Sequence, residues 1–296
     1  MLCLPVMADI LLTIYIYMKK SIKYILLFGV GALAGITAER NKEYLINAQF
    51  IRDHWHFRKV ISNQEAIVKS DKTMIFLAFG QSNSADYGEG TYTCRNEVYN
   101  YYKGDLYRAE EPLLGPDGSG SSVWTRVADM LIDSGLCKKV IIVPIGVGST
   151  SIQRWTEGDC RKKLDKTLDE LVKDRIQLTH ILWDQGETDN VDGTSKAVYK
   201  ARLNQLIKVI RDKGFNAPFY ASVTSYFPYD NNYPMGINPN ITGAQKEVIN
   251  ERADVLAGPN TDSLNLAYYR QNLVHFTEKG LDEFAHSWFE KIRDSK

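Results

Sequence analysis

The sequence predicts an α/β fold: a parallel sheet of about five strands with helices on both faces, preceded by an N-terminal hydrophobic segment. Three observations support this. From residue 73 onward, short apolar runs alternate with longer amphipathic ones, the order that builds strand–helix–strand units. The apolar runs are dense rather than alternating, as in strands buried on both faces. Several stop at glycine-containing polar turns, which places those turns at the carboxyl edge of the sheet, where open α/β folds bind ligands.

The chain opens with the hydrophobic segment, residues 1–38. Lys19, Lys20 and Lys23 precede an apolar run of 15 residues from Tyr24 to Ala38. A basic flank, an apolar centre and small residues at the end make the layout of a secretory signal, for which Met18 is a sensible start. The run is shorter than the ~20 residues of a spanning helix. Flanking residues extend it, and the lysines would hold the N-terminus in the cytoplasm. Thr37-Ala38-Glu39 is a poor cleavage site, so an uncleaved anchor is favoured over a cleaved signal. Either way the domain that follows is expected outside the cytoplasm, membrane-anchored or secreted.

Residues 39–71 are charged and aromatic and read as a linker or stalk. His54-Trp55-His56 within them suggests a metal at first sight. Alternate residues of a helix face different ways, however, so surface residues are the better reading.

The domain itself spans 72–296. Strands are expected at 74–79, 139–145, 179–184, 217–223 and 254–257, and helices at 122–134, 163–174, 194–213, 240–252 and 277–293. The loops after the first and fourth strands are long and tyrosine-rich (Tyr99, Tyr101, Tyr102 and Tyr107; Tyr226, Tyr229 and Tyr233). Long loops at a carboxyl edge usually bind something.

With 296 residues the chain can bury a full catalytic domain. Its 36 basic and 36 acidic residues cancel, which removes the electrostatic case for nucleic acid. The four cysteines form no CxxC pair, against a zinc knuckle. Cys137 reads as a core residue. Cys94 and Cys160 lie near the expected site and could pair in an oxidising compartment.

Chemistry begins at Gly80-Gln81-Ser82-Asn83. A buried strand ending there lifts Ser82 to the sheet edge as a candidate nucleophile, which then needs a base. Among five histidines, His54 and His56 fall in the stalk, His180 opens a buried strand, and His286 lies in the last helix on a packing pattern. His275 precedes that helix in a loop, with Thr277 as a helix cap, and is the candidate base. The second strand ends in Gly146-Val147-Gly148-Ser149-Thr150-Ser151, where glycine lets backbone N–H groups approach a ligand. A phosphate loop would also contain glycines, but the Gly-Lys-Ser/Thr ending is missing. The third strand leads into Gln185, whose carboxamide can donate two N–H bonds to an oxyanion. Glu187 and Asp189 follow; they could order the loop or the histidine, or simply cap a helix.

Gly80-Gln81-Ser82-Asn83, Gly148-Ser149-Thr150-Ser151-Ile152 with Trp155, Trp183-x-Gln185-Gly186-Glu187-x-Asp189 and His275-Phe276 resemble the successive blocks of the SGNH-hydrolase superfamily. More closely they resemble its sialate O-acetylesterase and acetylxylan-esterase branch, carbohydrate esterase family 6, over roughly residues 72–293. The resemblance implies a three-layer, flavodoxin-like α/β/α sandwich without metal or cofactor. It implies Ser82 as nucleophile and His275 as base, with the Ser82 and Gly148 amides and the Gln185 side chain as oxyanion hole. Gln81, Asn83, Thr150 and Trp155 are the expected substrate-binding residues, Trp155 by stacking on a sugar ring unless it is core.

One departure matters. The family usually has aspartate three residues before the histidine, where this chain has Asn272. Asparagine lacks the charge that stabilises an imidazolium, and the equivalent change in a serine protease costs ~10⁴ in turnover. Glu187 or another carboxylate could orient His275, a backbone carbonyl could leave a Ser–His dyad, or the enzyme could be weak or dead. The expected function is a serine esterase that removes acetyl groups from an oligo- or polysaccharide. The alternatives are a glycan acetyltransferase and a non-catalytic, membrane-tethered glycan-binding module.

Overall fold

The structure, a computed structural model, describes residues 60–295 apart from 63, 71, 230–232 and 234. The expected signal or anchor at 1–38, and the stalk as far as residue 59 with His54 and His56, lie outside the described residues. Among the described residues no helix is long and apolar enough to cross a membrane.

Seven strands form the sheet: β1 (Thr73–Gly80), β2 (Val98–Tyr102), β3 (Asp105–Arg108), β4 (Lys139–Pro144), β5 (His180–Asp184), β6 (Phe219–Val223) and β7 (Val255–Asn260). Their order is β3-β2-β4-β1-β5-β6-β7. All neighbours are parallel except β2 and β3. The five expected strands are present. The two extra ones form a hairpin inside the first tyrosine-rich stretch, which had read as loop. Its turn, Lys103-Gly104, has φ of 52° and 90°, the left-handed pair that matches hairpin twist.

The helices are α1 (Gln64–Val68), α2 (Val123–Asp133), α3 (Ile152–Thr156), α4 (Asp159–Lys173), α5 (Glu187–Val191), α6 (Lys196–Asp212), α7 (Pro239–Glu251) and α8 (Glu278–Arg293). Their starts follow from capping side chains. Ser122 accepts from Trp124 N, Asn238 from Asn240 N with Pro239 behind it, and Thr277 from Gly280 N. Alternate residues of β1 face two cores. Ile75, Leu77 and Phe79 pack with Trp155, Leu164, Leu203 and Ile241 beneath α3, α4, α6 and α7. Met74, Phe76 and Ala78 pack with Trp124, Phe284 and Trp288 beneath α2 and α8. That is the expected helix–sheet–helix sandwich.

The sheet also decides the cysteines. Cys160 belongs to the first core and Cys94 packs against the second. They lie on opposite faces and both thiols are free, so the pairing considered from sequence does not form. His286 is exposed beside Glu290 rather than packed.

The segment before β1 touches the sheet as well. Ile61 N donates to Leu106 O (2.8 Å) and Leu106 N to Gln64 Oε1 (3.0 Å), while Ile67 is buried. The last residues expected as linker therefore cover β3.

Gly80 closes β1 where it must touch β5. Its φ is 142°, and a Cβ there would lie 1.9 Å from the Asp184 carbonyl oxygen. Gly80→Ala is expected to lower unfolding stability by about 3 kcal/mol or more, read as a shift in the urea midpoint.

Candidate active site

The carboxyl ends of β1, β4 and β5 and the hairpin β8 (Arg270–Gln271)/β9 (His275–Phe276) surround a cleft of about 350 Å³. Gln81, Ser82, Ser149, Glu187, Thr188, Val191, Phe227, Asn272, Val274 and His275 line it. The candidate nucleophile and candidate base, 193 residues apart, thus share one crevice. No hydrogen bond joins Ser82 Oγ to the imidazole here; such contacts often tighten only with substrate bound. Glu187 is the charged residue of the lining, and no lysine or arginine is among the described residues that form it.

Ser82 starts a single 3-10 turn, Ser82–Ser84, directly after β1. The turn is closed by Ser84 N donating to Gln81 O (2.8 Å) and Ala85 N to Ser82 O (2.9 Å). The N–H of Ser82 donates to no acceptor among the described residues.

His275 is held from three sides. Tyr87 stacks on its ring, centroids 5.2 Å apart. Gln271 Nε2 donates to Tyr87 O (2.9 Å), tying the hairpin to the same segment. Arg270 is buried and donates to the carbonyls of Leu264 (2.7 Å), Val274 (2.7 Å) and Thr261 (2.9 Å), with its guanidinium 3.8 Å from the Phe276 ring centroid. Burial, with the Arg270 charge adding to it, holds the imidazole below the ordinary histidine range.

Asn272 sets the ring's tautomer. Its Oδ1 accepts from His275 N (3.1 Å) and Val274 N (3.4 Å). That leaves Nδ2 to face His275 Nδ1 at 3.1 Å. Flipping the amide would set its NH₂ against two backbone donors, so the network fixes the assignment. Nδ1 is then an acceptor, and the neutral ring carries its proton on Nε2. The turn also uses left-handed backbone at Asn272 (φ 41°) and Leu273 (φ 62°). Asparagine takes that conformation readily; for leucine it costs about 1 kcal/mol or more.

Glu187 is buried, and its Oε1 accepts from Asn83 Nδ2 (2.8 Å) while Oε2 has no partner. No hydrogen bond links it to the His275 ring. Burial raises its carboxyl, and burial with the Glu187 charge pushes Asp184 up to about 8.

Other expected site residues sit elsewhere. Gln185 is fully buried and does not line the cleft. Its Nε2 donates to Asp189 Oδ2 (2.6 Å) and Thr150 O (2.9 Å), and its Oε1 accepts from Tyr199 OH (3.0 Å). Both of its N–H bonds brace the loops together, so it is not free to hold an oxyanion. The Gly148 N–H likewise donates to Asp117 Oδ1 (2.9 Å). Thr150 and Trp155 are buried against each other, Trp155 Nε1 donating to Thr150 Oγ1 (2.9 Å). Trp155 packs edge-on against Phe79 and Trp183 and offers no face to a sugar. Of the four expected substrate contacts only Gln81 lines the cleft, Asn83 being turned to Glu187. Sequence reasoning missed Tyr87, Arg270 and Phe227. Nothing local marks them, because their roles arise from contacts across the fold.

The model of a family described as carbohydrate esterase, sialic acid-specific acetylesterase, matches residues 72–292. Among solved structures, an Arabidopsis thaliana protein is 17% identical with a TM-score of 0.60, covering 75% of this chain and 98% of its own. A carbohydrate acetylesterase from Xanthomonas citri is 16% identical with a TM-score of 0.54, over 74% of this chain and 55% of that one. NanS is 15% identical with a TM-score of 0.54, over 76% and 98%. At these identities the likeness is one of fold. No curated protein matches the sequence significantly. The family match spans most of the chain and includes the serine, histidine and acidic blocks around the cleft, so this protein belongs to the carbohydrate esterase, sialic acid-specific acetylesterase family, a family of carboxylic ester hydrolases.

Proposed function

We propose that this chain removes O-acetyl groups from a carbohydrate through an acetyl-serine intermediate. The observation that carries the reading is the shared cleft of Ser82 and His275. Ser82 Oγ attacks the acetyl carbonyl carbon while His275 takes the hydroxyl proton. The tetrahedral oxyanion forms beside the unengaged Ser82 N–H. Collapse breaks the bond to the sugar oxygen, which leaves with the proton from His275. Water, deprotonated by the same ring, then attacks the acetyl carbon, and the bond to Ser82 Oγ breaks as Oγ recovers that proton from His275, releasing acetate. The basic-then-apolar layout of residues 18–38 supports placing this reaction outside the cytoplasm.

The cleft favours an uncharged acetylated sugar. Its lining offers a carboxylate and no cation to pair with the carboxylate of a sialic acid. Turnover of acetylated xylo-oligosaccharides is expected to exceed that of O-acetylated sialic acid by about tenfold or more in kcat/KM, a difference of ~1.4 kcal/mol. Acetate release measured on both substrates checks it.

The Asn272 amide opposes the base. For His275 Nε2 to take a proton, the ring hydrogen must sit on Nδ1, donor against donor with Asn272 Nδ2. Asn272→Asp replaces that N–H with an oxygen that accepts from Nδ1 and keeps the second oxygen for the backbone. It is expected to raise kcat by ~10²–10⁴ on p-nitrophenyl acetate. Ser82→Ala is expected to abolish turnover in both backgrounds. Equal rates with and without Ser82 would instead leave a glycan-binding module.

The pH profile follows from His275. Only the neutral ring takes the serine proton, so kcat/KM falls as pH drops through its pKa. Burial and Arg270 depress that pKa, so the acid limb is expected below the ordinary histidine value of ~6.5. In Asn272→Asp the carboxylate favours the imidazolium, and the limb moves to higher pH.

A further inference from the structure

The oxyanion of the proposed reaction needs preorganised N–H donors facing the cleft, and most candidates are already engaged. Gly148 N–H is bound to Asp117, both Gln185 N–H groups to Thr150 and Asp189, Asn83 Nδ2 to Glu187, and Asn272 Nδ2 to His275. The carboxamide of Gln81 is different. Its Oε1 accepts from Thr188 N (3.1 Å), Gly186 N (3.4 Å) and, as a third and shared contact, Gln185 Nε2 (3.3 Å). Three donors around one oxygen fix which end of the amide is which, since a flip would set NH₂ against N–H. The Gln81 N–H is fixed too, donating to Asp184 O (3.0 Å). The residue is only 3% exposed yet lines the cleft, and its Nε2 donates to no acceptor among the described residues. A rigid NH₂ on an otherwise buried side chain, open to the cleft beside the nucleophile, is the donor that electrostatic stabilisation of a developing charge requires.

We propose that the Gln81 side chain, with the Ser82 backbone N–H, forms the oxyanion hole of this protein, in the role that the motif would give to Gln185. The assignment rests on the esterase reading of the same cleft. It also explains why glutamine precedes the serine: one end of the amide locks onto the turn before and into α5, and the other serves the reaction.

Three variants and one structure test it. Gln81→Glu keeps the accepting oxygen and replaces the NH₂ with a second oxygen. Gln81→Met removes the donor without adding charge. Both are expected to lose ~10²–10³ in kcat on p-nitrophenyl acetate, with KM within about threefold of wild type. If Ser82→Ala is inactive while both Gln81 variants turn over at the wild-type kcat, the oxyanion assignment is overturned and the esterase reading stands. If Ser82→Ala turns over at the wild-type rate, the esterase reading falls and the assignment with it. Should either Gln81 variant fail to fold, wild-type protein treated with an alkyl p-nitrophenyl phosphonate decides. The phosphoryl oxygen on Ser82 is expected within ~2.7–3.1 Å of Gln81 Nε2. A phosphoryl oxygen held instead by Gly148 N or Gln185 Nε2 overturns the assignment.

Discussion

The guanidinium of Arg270 governs where the imidazole can be. It is buried against the Phe276 ring and spends its N–H bonds on three backbone carbonyls, those of Thr261, Leu264 and Val274. Those carbonyls come from the turn after β7 and from the loop that precedes His275. A cation out of water costs several kcal/mol unless its protons are satisfied and opposite charge lies near. Moving the hairpin away would leave that charge uncovered, so the position of His275 is tied to the solvation of Arg270. Tyr87 and Gln271 then refine the orientation from the other side of the ring.

The same charge makes an otherwise costly arrangement tolerable. Asp184, Glu187 and Asp262 are all buried, and burial raises each of them. Asp262 is satisfied by Ser225 N, Ser225 Oγ and Tyr226 N. Asp184 has no hydrogen-bond partner for either oxygen. Burial and the neighbouring Glu187 charge push the Asp184 carboxyl up, which favours its neutral form and eases the repulsion between the two carboxyls. The region under the nucleophile therefore combines electrostatic compensation around Arg270 with the apolar packing of Ala78 and Phe79, which begins directly beneath Gly80.

Much of this was legible in the sequence because it depends on local pattern. Dense apolar runs gave β1, β4, β5, β6 and β7, and Thr277 marked the start of α8. Ser82 and His275 could be singled out because each sits where a regular element meets a turn. The rest depends on partners far along the chain. Gln185 looked like a free donor, yet its acceptors Thr150 and Asp189 arrive from two different loops. Gly148 looked open for the same reason, until Asp117 is seen to reach it. Trp155 offered a stacking face only while Phe79 and Trp183 were out of view. The hairpin β2–β3 was hidden by composition: tyrosine and asparagine suggested a loop, while the Lys103-Gly104 turn carried the contrary signal. Asn272 was recognised as a departure, but its effect on the ring needed the two backbone N–H groups that pin its oxygen.

The cover over β3 carries a consequence for handling the protein. A bare outer strand presents a row of unpaired amides to any passing chain, and natural proteins usually shield it. Here Ile61 occupies the Leu106 carbonyl and Gln64 the Leu106 amide, and Ile67 seals the side of the sheet. A fragment trimmed to the first residue of the family match would strip that shield while leaving the cleft untouched. Such a piece would keep Ser82 and His275 in place and still self-associate through the edge, whereas one that begins upstream of Ile61 would stay dispersed.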